Sequence, residues 1–155
     1  MEKKSEILDN FKIAISSTVK SLSNSENVEV AFGNQSLKSE KNSIRLPEIE
    51  HLNNKINFNQ VRAIADSESL KLKLSDQKTL KLYEPSGSIS KRLYKIAETI
   101  RCEKIGSDHF KGVKKNIENF YQERILSLDL RKSEDKIIES FENYLRSKFF
   151  KFKNN

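Results

Sequence analysis

The feature that most constrains this chain is an apolar stripe of helical period between Pro85 and Asn116. Ile89, Leu93, Ile96, Ala97 and Ile100 recur at intervals of three and four, a spacing that lines one side of an α-helix and is incompatible with a strand. The stretch opens with a turn, Pro85-Ser86-Gly87. Gly106 is expected to stop the helix as a left-handed C-cap. A second helix is expected from near Ser107, carrying Gly112 and Asn116. At about 100° per residue, Tyr94, Glu98 and Arg101 fall along one edge of the stripe, and Glu103 falls on the other.

The remainder of the chain extends this helical reading. Only 4 glycines and 2 prolines punctuate 155 residues, which favours long helices over a many-turned β fold. Periodicity predicts helices over 4–22, 57–74, 77–83, 88–105 and 108–126, and a last one from Ser133 through Phe149. Asn57 and Ser133 stand at N-cap positions, and Ser75-Asp76 precedes the short helix. Val28 to Phe32 alternates and Ile44-Arg45-Leu46 is rich in strand formers. A short β-hairpin between 28–32 and 43–46 is therefore expected, with Gly33-Asn34 as a turn and a polar, mobile loop over 35–43. The fold class is mainly α: one domain over 1–155, with its core at about 4–149, about five helices and the hairpin near the N-terminus. Hydrophobic residues are 35% and charged residues 33%, so amphipathic elements must build the core.

Composition narrows the function classes. No apolar run approaches the ~18 residues of a membrane span. The start of the chain lacks the apolar core of a signal peptide, so a cytoplasmic location is expected. Cys102 is the only cysteine, which excludes an intrachain disulfide. The net charge of +7 suits an acidic partner or nucleic acid. The lysines are interleaved with glutamates rather than clustered, so a basic helical nucleic-acid-binding module is the second reading and not the first.

No stretch carries a recognisable active site. Glycines are too sparse for a phosphate loop. Cys102 and His109 are the nearest soft-ligand pair, but Gly106 separates them, and they read as a buried thiol and a surface imidazole. His51 lies in an Asn-rich connector without a motif. Glu98, Arg101 and Glu103 could form a general acid-base cluster in principle. They read better as an ion-pair set that orients the central helix, because the two glutamates lie on opposite flanks of the stripe. Arg62 and Asp66 are four apart on one helix face, within salt-bridge reach. Gly112 reads as a point of close helix approach, and Asn116 as a side chain bonded to neighbouring backbone. No catalytic, cofactor-binding or metal-binding residue is assigned.

These same residues carry a family resemblance. Proline-x-glycine, an aromatic at Tyr94, Glu98-x-x-Arg101-x-Glu103-x-x-Gly106 and Gly112-Val113-x-x-Asn116 resemble the N-terminal domain of CobT, a subunit of the aerobic cobaltochelatase. Phe32-Gly33, Arg45-Leu46-Pro47 and Arg62-x-x-Ala65-Asp66-Ser67 with Leu70 appear in the family's order. The resemblance covers about residues 10–150 and is densest over 62–116. Some positions depart from the pattern. Ser75 and Leu80 stand where histidines are usual, Lys91 where an arginine is usual, Thr99 where a glutamine is usual and Ala63 where a glycine is usual.

The resemblance implies a partner-dependent role in cobalamin biosynthesis. A CobS-type AAA+ ATPase forms a ring with CobT, and a large subunit binds the corrin substrate, hydrogenobyrinic acid a,c-diamide, and cobalt. ATP with magnesium and cobalt belong to those partner subunits. By analogy this chain is a scaffold or adaptor within an oligomeric complex. Arg62, Asp66, Glu98, Arg101, Glu103 and Asn116 are its candidate interaction or structural residues. Nothing in the sequence matches the C-terminal von Willebrand A-type domain of full CobT subunits, and three phenylalanines among lysines close the chain. The expectation is a fragment, or a short gene product that docks on something.

Overall fold

A computed structural model describes residues 2–39, 41–49, 58–126 and 133–150. The expectations for His51, the Asn57 cap and residues 151–153 lie outside the described residues, as does that for the Ser133 side chain. Among the described residues are six helices and one two-stranded sheet: α1 (Glu2–Ser23), β1 (Glu29–Phe32), β2 (Ser43–Leu46), α2 (Phe58–Leu74), α3 (Gln77–Leu82), α4 (Ser88–His109), α5 (Lys111–Leu126) and α6 (Ser133–Phe150). The mainly α reading holds, with the short α3 making the sixth helix. The chain divides into two compact units, Met1–Lys73 and Leu74–Asn155.

In the first unit, Phe11, Ile15 and Val19 project from one side of α1, as their spacing of four requires. They pack with Val28 and Phe32, with Ile44 and Leu46, and with Val61 and Ala65 of α2. The rings of Phe11 and Phe58 meet at 4.3 Å between centroids. Burying a side chain such as Val19 or Val61 contributes about 1.5–3 kcal/mol, so this cluster is the main source of the unit's stability. Leu70-Lys71-Leu72-Lys73-Leu74 alternates in sequence as a strand would, but it continues α2 as helix.

The strands form where expected and pair with each other, but the hairpin reading is corrected. β1 and β2 run parallel, in register Glu29↔Ser43 to Phe32↔Leu46. A hairpin needs a tight reversal, whereas residues 33–42 are long enough to carry the chain back to the start of β1. Side chains tie that return segment down. Gln35 Oε1 accepts the Phe32 N–H at 3.0 Å, and the Lys38 N–H donates to the Glu29 carboxylate at 2.8 Å. Arg45 donates to the carbonyls of Gly33 and Gln35. Gly33 is required where it stands: its φ is +57°, and an added Cβ would come within 2.8 Å of the Glu48 side chain.

In the second unit α4 packs against both α5 and α6. Asp76 caps α3, its carboxylate accepting the Lys78 N–H and the Thr79 hydroxyl. The expected stop at Gly106 is corrected: α4 runs on to His109, and Phe110 is its C-cap. Gly106 is helical and buried beside Glu103 and Ser107, so it serves the packed face of α4 rather than a turn. The close approach expected at Gly112 is also corrected, since a Cβ there would meet no atom within 4 Å.

Candidate functional site

The two glutamates of the central motif lie in different surroundings. Glu98 is at a partly exposed cluster with Arg101, Ser75 and Cys102. Arg101 donates from Nε to Glu98 Oε2 and from Nη2 to Oε1, both at 2.7 Å, the forked geometry a guanidinium makes with a carboxylate. The same Nη2 reaches the carbonyl of Leu74 at 3.0 Å. Ser75 Oγ donates to Glu98 Oε1 at 2.6 Å and lies 3.4 Å from the Cys102 sulfur.

These contacts set the charge states. The Arg101 bonds hold the Glu98 carboxyl below its ordinary value; partial burial opposes them, and the Ser75 bond adds to them. The Glu98 bonds push the Arg101 guanidinium up. Burial pushes the Cys102 thiol up, which leaves it protonated and a poor nucleophile. A cluster with an ionised carboxylate, a fixed guanidinium and a neutral buried thiol suits holding backbone in place better than moving protons.

Glu103 is fully buried on α4 and meets Arg146 of α6, itself 1% exposed. Arg146 Nη1 donates to Glu103 Oε2 at 2.5 Å, and its Nε donates to Glu142 Oε1 at 3.0 Å. Its guanidinium carbon lies 3.1 Å from the centroid of the Tyr121 ring, and the Tyr121 hydroxyl donates to Glu103 Oε1 at 3.4 Å. Arg124 reaches the second oxygen of Glu142 at 3.5 Å. Three helices are joined by these five side chains. Burial, the largest single influence, pulls the Arg146 pKa down, but Glu103, Tyr121 and Glu142 together outweigh it and the net shift is upward. Tyr121 is pushed up, by burial first and then by the Glu103 charge.

Arg62 and Asp66 belong to the first unit, and Asn116 to α5 of the second. On α2, the exposed guanidinium of Arg62 sits over the Phe11 ring, 5.3 Å from its centroid, while Asp66 is buried. Asn116 is half-buried on α5. Lys91 pairs with Glu84 at 3.2 Å. Among the described residues, no three His, Cys, Asp or Glu side chains are grouped so as to hold a metal ion. No helix among them is long and apolar enough to cross a membrane.

Arg146 was the residue that sequence reasoning missed. A glutamate and an arginine four apart, such as Glu142 and Arg146, ordinarily form an exposed pair. The available signal was the row Ile138, Glu142, Arg146, Phe150, in which two charges are bracketed by apolar residues on one face.

Residues 5–143 match the family described as cobalamin biosynthesis protein CobT. The chain belongs to the CobT family. The match takes in most of both compact units and all of the motifs between Arg62 and Asn116. Membership implies a role in cobalamin biosynthesis. No solved structure matches the chain.

Proposed function

We propose that this chain is a non-catalytic scaffold or adaptor of an ATP-dependent cobaltochelatase. It acts with a CobS-type AAA+ ATPase and a large corrin-binding subunit when cobalt is inserted into hydrogenobyrinic acid a,c-diamide. The observation that carries this reading is the separate commitment of the two motif acids. Glu98 is forked to Arg101 and Glu103 is locked to Arg146, so neither is a free acid or base facing the other. Their work is to hold helices in place. Exposed apolar side chains on the second unit, Leu82 and Tyr83 on and just after α3 and Ile137 and Tyr144 on α6, supply material for contact with another protein.

The test is binding of the folded chain to its cognate CobS-type ATPase, with and without ATP, followed by pull-down and light scattering. A nucleotide-dependent complex supports the adaptor reading. A folded chain that binds neither form of the ATPase contradicts it.

A further inference from the structure

The parallel sheet leaves the outer edge of β1 uncovered by a third strand among the described residues. β1 bonds to β2 through alternate residues: the Glu29 N–H donates to the Asn42 carbonyl at 3.0 Å, and the Gly33 N–H to the Leu46 carbonyl at 2.9 Å. Alternation then turns the backbone groups of Val30 and Phe32 to the other side. Those of Phe32 are closed, its N–H by Gln35 Oε1 and its carbonyl by the Gln35 N–H. Ahead of them, the Val28 N–H is taken up by the Ser25 carbonyl. Between these closures the N–H and C=O of Val30 face outward.

Beside this edge runs a groove of about 430 Å³ between the Lys12-to-Lys20 face of α1 and Val30 and Phe32 of β1, closed at one end by Gln35. A second hollow of about 400 Å³ shares Ser17 and Lys20 and continues to Asn24 and Glu26. Ile13 is 66% exposed on its wall. The Lys12 ammonium lies 5.1 Å from the Phe32 ring centroid, and residues 24–28 join the end of α1 to the start of β1. Helix and strand therefore run antiparallel, with Lys12 near the end of β1 and Lys20 near its start. Lys12 shares its charge with Glu48 at 2.9 Å; Lys20 is exposed.

The spacing selects an occupant. Eight residues of α-helix separate the two lysines by about 12 Å. In an extended chain, side chains four residues apart share a face and stand about 13 Å apart. We propose that this groove takes an extended acidic segment of a partner protein, added as a strand along β1. Its carboxylates, four residues apart, reach Lys12 and Lys20, and an apolar side chain midway, level with Ser16, leans towards Ile13 about one helical turn away. The inference concerns the first unit alone and stands apart from the ATPase assignment.

The probe is a fluorescein-labelled peptide of about nine serines and threonines, with two aspartates four apart and a valine midway. Its binding to the full chain is read by fluorescence polarisation, and amide exchange by NMR. The expected result is saturable binding that slows exchange of the Val30 N–H at least about tenfold. Lys20→Glu, with an unchanged circular-dichroism spectrum, should weaken binding by about tenfold or more, and so should asparagines in place of the aspartates. Three results would each overturn the proposal: no binding, binding indifferent to Lys20→Glu, or binding without protection of Val30. A single-stranded oligonucleotide of equal charge that displaces the peptide and binds more tightly would also overturn it, by giving the groove to nucleic acid.

Discussion

Glu103 of α4 and Arg146 of α6 are 43 residues apart in sequence and meet at 2.5 Å in the interior of the second unit. Taking both ions out of water costs several kcal/mol each. Against that stand a short charge-assisted bond, a second bond to Glu142 at 3.0 Å and a guanidinium stacked on Tyr121. Such a set contributes little net stability compared with an apolar core, but it is exacting about geometry. It fixes how α4, α5 and α6 meet, and this is the structural role of a motif glutamate that could have been read as an acid catalyst.

Tyr121 should make the unit sensitive to alkali. Its folded pKa is raised above the ordinary tyrosine value of about 10. Its contribution to stability is therefore fully present below pH ~10 and is lost as pH rises towards the folded value. Urea unfolding of the wild type should weaken steeply above pH ~10. Tyr121→Phe should flatten that dependence and remove a late tyrosinate absorbance phase.

Glu98 has the opposite sign. Its folded pKa is lowered by Arg101, so its contribution is present above the unfolded value of about 4.3 and is lost as pH falls through the folded one. The pair is partly solvated, so the effect is small, about 0.5 kcal/mol. Glu98→Gln should be less stable than wild type by about that amount at pH 6 and indistinguishable from it near pH 2. Equilibrium denaturation at the two pH values measures the difference.

Two glycines should respond oppositely to alanine. Gly112 sits in the first turn of α5 with open space around it, so Gly112→Ala should raise stability by up to about 1 kcal/mol. Gly33 has a φ of +57°, and a Cβ there would lie 2.7 Å from Glu48 Oε2. Gly33→Ala should lower stability by about 1 kcal/mol or more and disturb the Lys12–Glu48 pair. Thermal melts of both variants beside the wild type decide the signs.

The helices were legible because their periods were long and uninterrupted, and Asp76 because a cap is a local event two residues from its donor. Strand direction was not legible, since residues 33–42 could close a hairpin or return the chain, and only the packed core chooses. Gly106 misled for a related reason: glycine serves a helix end or a buried helix face, and local sequence does not separate the two. Glu98 and Arg101 were readable as a pair on one helix. Ser75 and the Leu74 carbonyl, which complete their cluster, come from more than twenty residues upstream. Arg146 was hidden most deeply, because nothing near it in sequence shows that its partner is Glu103.

The most direct test of a structural Glu103 is a double-mutant cycle of Glu103→Gln and Arg146→Met, read by chemical denaturation of the full chain. Each single change strands part of a buried ion pair and should cost about 3–5 kcal/mol, while the double variant should cost clearly less than the two together. If instead each change costs under about 1 kcal/mol and the two simply add, the pair does not hold the helices and the account is wrong.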